Sequence, residues 1–428
     1  MKTLLMNAHL ICPVQGFDGI GHVGFTDTHI VASALGACPD PSSYDEVIDC
    51  EGRYVTPGLI DMRVQSADPG AEHLDTLETI LKAAAMSGIT SLVTLPDTNP
   101  VIDNRTVIDS LLLRASQIGG PHLHVYGALT KGQLGQHMAE LGTMAQAGAV
   151  GFSSGAHAVQ DSLIMRRLMT YATMFDKPII HHCEDYQLTD GGEMNEGETA
   201  TRLGLIGIPP AAEVIMVQRD IELARLTKAR YHVAHISTAG AIQAVRQAKA
   251  HGLPVTCDTA PPYALLNEHA VTSFNTAFRL NPPLRSEGDR LAVIQGLADG
   301  TIDAIASDHA PVNKDEKAQP FGQASTGASG IETLFYNLMT MVANNSLSMM
   351  QAITAASTSP ARILGISGGS LETGTSADVI CFDSKRAHQI NQRDFVSRSR
   401  ISPFHGQPSQ GHIYMSFVSG APVCDNRT

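Results

Sequence analysis

Eight short apolar runs, each followed by a turn and a longer segment with helical spacing, limit the folds open to this chain more than any other feature. The runs cover residues 58–64, 90–96, 122–129, 149–154, 178–184, 230–237, 254–260 and 301–310. Near-continuous apolar strands that alternate with helices are typical of a parallel sheet covered by helices. Eight such units in one domain favour an α/β fold with a closed (β/α)8 barrel over residues 55–370. An open doubly wound sheet is the alternative, but no Gly-x-Gly-x-x-Gly turn follows the first run.

The two ends of the chain have a different pattern. Residues 1–54 and 371–428 contain short alternating segments, such as 22–25 and 378–382, separated by Gly, Pro, Asp and Ser. This pattern predicts short β-strands. Because the two ends of a compact chain often lie close together, the prediction is one small β-domain built from both termini.

The composition argues against several classes of function. The net charge is -13 and no basic run is present, so small molecules or other proteins are the predicted partners and nucleic acid is not. No apolar stretch is long enough to span a membrane and no secretory leader is recognisable, which predicts a cytoplasmic protein without membrane contact. The seven cysteines are widely spread and form no Cys-x-x-Cys pair, so neither a disulfide framework nor a thiolate zinc site is expected.

Polar residues at the ends of three runs are the candidate functional residues. His182 lies near the end of the fifth run, His235 in the sixth and Asp308 in the eighth. In barrels of this kind the reactive groups lie at the C-terminal ends of the strands. Two imidazoles and a carboxylate at one barrel mouth could bind a zinc ion, because imidazole nitrogen and carboxylate oxygen are common zinc ligands. The alternative is that each of these residues is a polar side chain hydrogen-bonded to its neighbours. This alternative is favoured for any single histidine. It is less attractive here because three ligand-type residues all fall at strand ends.

The chain resembles the dihydroorotases of the amidohydrolase superfamily, which include the related allantoinases and hydantoinases. The resemblance covers nearly the whole chain. It is carried by an ordered set of motifs: Pro57-Gly58-Leu59-Ile60-Asp61, Pro96-Asp97-Thr98-Asn99-Pro100, His182-Cys183-Glu184-Asp185, Met194-Asn195-Glu196-Gly197, Gly207-Ile208-Pro209, His235-Ile236-Ser237-Thr238-Ala239-Gly240, Asn281-Pro282-Pro283-Leu284-Arg285, Asp308-His309-Ala310-Pro311 and Ser402-Pro403-Phe404-His405-Gly406.

This resemblance implies an amidohydrolase-type (β/α)8 barrel with a small β-domain. It also implies hydrolysis or closure of cyclic amides, which in pyrimidine synthesis interconverts N-carbamoyl-aspartate and dihydroorotate. His182 and His235 match the second metal position, and Asp308 matches the general base that takes a proton from the attacking water. The residues expected to contact a substrate are Asn99, Asn281 and His309.

The match fails at the first metal position. In the family the first strand supplies two metal-binding histidines at its end, but this chain has Arg63 and Gln65 there. A guanidinium stays charged and cannot ligate zinc. The metal-bridging aspartate after the fourth strand corresponds to Ser154, and no lysine occurs in residues 149–155 to replace it. At most one zinc ion is therefore expected.

The substrate-binding positions also depart from the family pattern. The arginine that would grip a substrate carboxylate bidentately is replaced by Ala67. The asparagine that assists it corresponds to Asp97, whose carboxylate would repel an anionic substrate. Loss of the substrate arginine is not explained by a rearranged metal site.

Three hypotheses follow. The favoured one is a catalytically degenerate dihydroorotase homologue that acts as a structural or regulatory partner of aspartate transcarbamoylase, as some dihydroorotase-like chains without the metal histidines do. The second is an active enzyme of the same reaction class with one zinc on His182, His235 and Asp308 or water. The third is a metal-free ligand sensor in which Arg63 fills the vacated cavity or binds an anion. Arg63 could instead plug the site by pairing with Asp61, Asp97 or Asp308. A homo-oligomer is expected, although no residue fixes its size.

Overall fold

The computed structural model of the protein describes residues 1–427. The β-strands, in chain order, are β1 (Thr3–Cys12), β2 (Phe17–Phe25), β3 (Ile30–Leu35), β4 (Glu46–Asp49), β5 (Tyr54–Pro57), β6 (Leu59–Val64), β7 (Ile89–Thr94), β8 (His122–Ala128), β9 (Gly151–Ser153), β10 (Ile179–His181), β11 (Met194–Asn195), β12 (Gly207–Ile208), β13 (Tyr231–Val233), β14 (Val255–Thr259), β15 (Ala304–Ile305), β16 (Val379–Gln389), β17 (Pro408–Val418) and β18 (Ala421–Asp425).

The α-helices are α1 (Leu77–Met86), α2 (Arg105–Ile118), α3 (Leu141–Gln146), α4 (Ser162–Ala172), α5 (Tyr186–Thr189), α6 (Glu198–Leu203), α7 (Ala211–Thr227), α8 (Ala239–Ala250), α9 (Pro261–Leu265), α10 (Glu287–Asp299), α11 (Lys314–Lys317), α12 (Ile331–Ala343), α13 (Met349–Ile353) and α14 (Ser359–Leu364). Among residues 1–427, no helix combines the length and the apolar character needed to cross a membrane.

Eight parallel strands form the barrel and confirm the prediction from the apolar runs. Their order is β6, β7, β8, β9, β10, β13, β14, β15. The barrel closes where Gln65 N donates to His309 O at 2.8 Å, next to a parallel bridge between Val64 and His309. The closure brings the ends of the first and eighth strands, and the side chains that follow them, to the same mouth.

The barrel strands are apolar because both of their faces are buried. Every residue of β6 and β7 is buried. Helices pack outside through one apolar face: in α1 the residues Leu77, Ile80 and Leu81 are buried at helical spacing. Thr76 begins this helix with a capping box, since its side chain accepts from Thr79 N.

The termini form a separate sheet, as predicted. Its order is β18, β17, β16, β5, β1, β2, β3, with β4 paired to β1. Strand β5 pairs with both β1 and β16, so the terminal sheet extends to Pro57, three residues past the expected boundary. The chain after β16 also returns to the barrel mouth, where Ser329 N donates to Ile401 O at 2.7 Å.

Candidate functional site

A cavity of about 200 Å³ opens at the C-terminal ends of the barrel strands. It combines strand-end residues with the loop after β15 and the segment that follows β16. The lining residues are Arg63, Gln65, Ala156, His182, His235, Pro261, Pro262, Leu280, Asn281, Ser307, Asp308, Ala310, Thr326, Gly327, Ala328, Ser329, Gly330, Thr333, Pro403 and Phe404.

Arg63 forms a buried ion pair across the mouth. Its Nε donates to Asp308 Oδ1 at 2.8 Å, and its Nη2 donates to Gly155 O at 3.2 Å. The Arg63 side chain is 3% exposed and that of Asp308 is 19% exposed. Of the three carboxylates that sequence reasoning offered as partners of Arg63, Asp308 makes the ion pair. Asp61 bonds to the Arg63 backbone N–H and not to the guanidinium, and it also accepts from Ser307 N.

The two candidate metal-binding histidines bond to each other. His182 Nδ1 lies 2.7 Å from His235 Nε2. The other ring nitrogens face carboxylates: His235 Nδ1 is 3.0 Å from Asp308 Oδ2, and His182 Nε2 is 2.8 Å from Glu184 Oε2. Asn281 Nδ2 donates to the same Glu184 oxygen at 3.3 Å. A continuous hydrogen-bonded chain, here called the mouth network, therefore runs from Arg63 to Asn281.

The mouth network can be electrically neutral. Its two carboxylates accept from ring N–H groups, and the bond between the rings needs one more proton. Two neutral imidazoles supply two protons, so three hydrogen bonds require that the histidine pair carry a third proton and one positive charge. Together with the Arg63 guanidinium this gives two positive charges against the negative charges of Asp308 and Glu184. Such balance allows charged groups to remain buried.

The pKa shifts of the two carboxylates agree with their negative charges. Burial raises the pKa of Asp308, but His235 and Arg63 outweigh it and hold that pKa well below its ordinary value. Burial also raises the pKa of Glu184, but the hydrogen bond with His182 outweighs it and sets the pKa to about 2. For His235, burial lowers the pKa and Arg63 lowers it further. Both effects disfavour an added proton on the His235 ring.

Three residues near the mouth have left-handed backbone without being glycine. The φ angles are 35° at His235, 53° at Asp308 and 58° at Ala67. This region is costly for L-residues and such strain concentrates at functional sites. Two of these residues, His235 and Asp308, belong to the mouth network.

The residues present do not fit a zinc ion. Two nitrogens bound to one tetrahedral zinc at ~2.0–2.1 Å would lie roughly 3.3 Å apart, whereas His182 Nδ1 and His235 Nε2 lie 2.7 Å apart. Asp308 contacts His235 through the opposite ring nitrogen, so its carboxylate does not converge on the point between the histidines. The first metal position is taken by the guanidinium of Arg63, a cation that cannot ligate metal.

A different group of ligand-type residues lies close together behind the mouth. Within residues 1–427, His181, Cys183 and Asp220 form the group whose ligand atoms all lie within 4.8 Å of one another. Asp220 already accepts from Arg219 Nε at 2.8 Å and from Tyr231 Oη at 3.0 Å, and pairs with His181 Nδ1 at 2.7 Å. This group is a satisfied, fully buried polar cluster, and its hydrogen bonds explain it without a metal.

Of the three predicted substrate-binding residues, Asn281 lies at the cavity, whereas Asn99 and His309 do not line it. Asn281 lines the cavity, as does Gln65. Asn99 is exposed and lies outside the cavity, where its backbone N–H donates to Pro69 O at 2.9 Å. His309 is buried and faces away: its Nδ1 accepts from Gly330 N at 3.2 Å, and its Nε2 is 3.5 Å from Asp75 Oδ2.

The remaining positions that depart from the family pattern have structural contacts. Asp97 accepts from Gln133 Nε2 at 3.0 Å and from Ala156 N at 3.1 Å. Ser154 Oγ accepts from His182 N at 3.0 Å. Neither residue lines the cavity. Both instead hold neighbouring loops in place.

Sequence reasoning missed two acidic residues that organise the mouth. Glu184 was recognised only as part of a motif, although its place two residues after His182 puts both on one side of an extended segment. Glu213, on α7, accepts from Ser237 N and Thr238 N, both at 3.0 Å, just after His235. No local pattern identified Glu213, because its partners belong to the next barrel unit.

The stability contributed by Glu184 should depend on pH. In the folded protein the pKa of Glu184 is about 2, below its ordinary value of 4.5. The contribution is therefore fully present above pH 4.5 and is lost as the pH falls toward 2. We expect the difference in unfolding free energy between wild type and Glu184→Gln, measured by urea denaturation, to shrink between pH 5 and pH 3 (about the range set by linkage). An exposed control, Glu222→Gln, should change stability little at any pH, and a Glu184→Gln difference that stays constant with pH would contradict the assignment.

Comparisons with known proteins identify the family. A family profile described as Dihydro-orotase-like matches residues 52–241. The chain is 41% identical over 421 residues to a protein named dihydroorotase from Acetivibrio thermocellus, covering 98% of each chain. It is 39% identical over 425 residues to a dihydroorotase from Syntrophus aciditrophicus, covering 99% of each. The chain belongs to the dihydroorotase family.

Solved structures show the same fold. An L-hydantoinase (dihydropyrimidinase) from Arthrobacter aurescens superposes with a TM-score of 0.89 at 22% identity, covering 99% of this chain and 96% of that one. A dihydropyrimidinase from Brevibacillus agri superposes with a TM-score of 0.84 at 21% identity, covering 100% and 96%. The fold is the amidohydrolase-type (β/α)8 barrel with its β-domain.

Proposed function

We propose that this chain is a catalytically degenerate dihydroorotase homologue that serves de novo pyrimidine biosynthesis as a structural or regulatory partner of aspartate transcarbamoylase. One observation carries the proposal: the Arg63 guanidinium occupies the first metal position in an ion pair with Asp308, the residue that resembles the general base. A base held in this pair by a buried cation is not free to accept a proton from water.

The chemistry of the reaction supports the same conclusion. Hydrolysis of an unstrained amide near neutral pH needs a strong nucleophile, and zinc provides one by lowering the pKa of bound water to about 7. The cavity residues do not fit a zinc ion, and no other group in the mouth network supplies that acidity. With Ala67 at the position of the substrate arginine, the cavity also lacks a bidentate partner for a carboxylate at that point.

The intact scaffold supports a role outside catalysis. Identity of 41% to a named dihydroorotase extends over 98% of both chains, so the degenerate mouth sits within a fully retained barrel and terminal sheet. The surface of such a scaffold can serve assembly after its chemistry is lost, because fold and function are separable.

The experiment that tests the partner role is assembly of purified protein with aspartate transcarbamoylase from the same organism. The two proteins are mixed at equal concentration and followed by sedimentation velocity. A complex heavier than either component, with transcarbamoylase activity or stability altered on mixing, is the expected result. Independent sedimentation of the two proteins over the tested concentrations would contradict the partner role.

The second candidate is an active enzyme that converts dihydroorotate to N-carbamoyl-aspartate. The observation in its favour is that His182, His235 and Asp308 all line one cavity with Asn281. Catalysis would require the Arg63 pair to open and the two histidines to separate around a metal. Turnover by the wild-type protein distinguishes the two candidates.

A further inference from the structure

A segment that begins in β16 carries a charge opposite to that of the whole chain. Residues 385–400, here called the basic segment, contain five cations and one anion, a local net charge of +4 in a chain whose net charge is -13. The cations are Lys385, Arg386, Arg393, Arg398 and Arg400, and all five are exposed. One short stretch of the surface is therefore basic on an acidic protein.

The fold anchors the basic segment and leaves its cations in solvent. Burial alternates along its last residues: Ser397 and Ser399 are buried, whereas Arg398 and Arg400 are exposed. The buried residues attach the segment to the barrel, since Ser399 Oγ accepts from Val312 N at 3.0 Å. The alternation therefore places both arginines on the solvent side of a segment that is held in position.

The positive charges of the basic segment are not balanced within the described part of the chain. Among residues 1–427, none of its five cations is in an ion pair. Arg398 Nη1 donates to Glu72 O at 2.7 Å, and Arg400 Nη1 donates to the carbonyl of Arg393 at 3.3 Å. A carbonyl oxygen positions a guanidinium but does not neutralise its charge. The second bond also holds two cationic residues next to each other, an arrangement that an anionic partner stabilises.

The charge of the whole chain limits the kind of partner that the basic segment fits. A nucleic acid carries phosphates along its entire length, so beyond the five cations it would meet a protein of net charge -13. Two copies of this chain related by a two-fold axis through the segment would bring like charges together. A protein with a local acidic patch matches the segment without either repulsion.

The basic segment also leads directly to the barrel mouth. Pro403 and Phe404, which line the cavity, follow Arg400 by three and four residues. Between them, Ile401 O accepts from Ser329 N, another residue of the cavity wall, at 2.7 Å. A partner seated on the segment is therefore connected to the cavity wall by a few residues of anchored backbone.

We propose that the basic segment is the surface through which this chain docks on an acidic patch of its partner protein. The inference rests on the proposed function, because the partner that carries the patch is aspartate transcarbamoylase. Charge complementarity of this kind raises the association rate and fixes the register of a complex. Since the five cations are exposed, salt screens their attraction, and the complex weakens as the ionic strength rises.

The test is sedimentation velocity of the full chain with purified aspartate transcarbamoylase from the same organism, at about 50 mM and about 500 mM NaCl. Two charge-reversed variants are compared with wild type. One is Arg393→Glu with Arg400→Glu, and the other is Lys385→Glu with Arg386→Glu. Each should weaken the complex by roughly tenfold or more at the lower salt concentration, because like charges then face the acidic patch.

The matched control is Arg166→Glu with Arg167→Glu on α4. It makes the same change in net charge at two exposed arginines outside the basic segment and should leave the complex intact. Circular dichroism and thermal unfolding verify that every variant is folded. The variant at Lys385 and Arg386 keeps the test valid if loss of the Arg400 hydrogen bond disturbs the segment.

The outcomes separate this docking surface from the proposed function. A wild-type complex whose affinity is unchanged in both charge-reversed variants overturns the docking surface and leaves the proposed function standing. No complex with wild type contradicts the proposed function and the docking surface together. If the variants leave the complex unchanged but alter self-association of the chain, or its binding of a single-stranded DNA probe in fluorescence anisotropy, the segment serves a different partner and the proposal is likewise overturned.

Discussion

Replacing Arg63 with methionine is expected to lower the free energy of unfolding by about 3–5 kcal/mol, the usual cost of removing one partner from a buried ion pair. The reason is the Asp308 carboxylate, which accepts from Arg63 Nε at 2.8 Å and would lose that charge-assisted bond. Gly155 O would also lose its donor, Arg63 Nη2. Methionine preserves much of the volume and removes only the charge and the donors.

Urea denaturation measures this loss of stability, and a double variant tests whether the unpaired Asp308 charge causes it. Arg63→Met with Asp308→Asn removes both charges and should recover a large part of the lost stability, because no carboxylate is left unpaired. The matched control is Arg105→Met, which breaks an exposed pair with Asp109 on α2 and should cost no more than about 0.5 kcal/mol. Equal stability of Arg63→Met and wild type would mean that the ion pair does not hold the mouth together.

Replacing Glu213 with alanine is expected to have a similar effect, about 3–5 kcal/mol. Its side chain is 3% exposed and faces Arg285, which is 4% exposed, at 3.7 Å. It accepts from both the backbone and the hydroxyl of Ser237 and of Thr238. Alanine would leave the buried Arg285 guanidinium without its opposite charge, and four donors without their acceptor.

Glu213→Gln tests whether charge or hydrogen bonding dominates this effect. Glutamine keeps one acceptor oxygen and removes the negative charge, so we expect a loss smaller than that of Glu213→Ala. The measurement is chemical denaturation, with amide hydrogen exchange at Ser237 and Thr238 as a local probe. Faster exchange at these two amides is expected in both variants. Unchanged exchange in Glu213→Ala would show that the carboxylate does not hold this turn.

Much of the fold follows from local sequence because parallel barrel strands are buried on both faces and are therefore apolar along their length. All eight apolar runs correspond to barrel strands. The small ribbon of Met194–Asn195 with Gly207–Ile208 was not predicted, since two-residue strands leave no periodic pattern. The return of the segment containing Pro403 and Phe404 to the barrel mouth was also missed, because a contact between distant parts of the chain has no local pattern.

The site was predictable in its residue types but not in its connections. Strand-end positions placed Arg63, His182, His235 and Asp308 at one mouth, and all four line the cavity. Their bonding was not predictable: Arg63 and Asp308 are 245 residues apart, and three carboxylates were plausible partners for the guanidinium. The direct bond between His182 and His235 also depends on ring orientation, which the barrel geometry sets. His309 and Asn99 were expected at the substrate, yet their side chains lie outside the cavity.

We propose that the mouth network stands in the place of a catalytic metal site and leaves the chain without dihydroorotase activity. The most direct measurement is turnover of dihydroorotate and of N-carbamoyl-aspartate by the purified protein, with and without added zinc. A dihydroorotase that retains both first-strand histidines, assayed under the same conditions, is the positive control. No turnover above the uncatalysed rate in either condition is the predicted result. Zinc-dependent turnover that is abolished in His182→Ala would contradict the claim and establish a rearranged, working metal site.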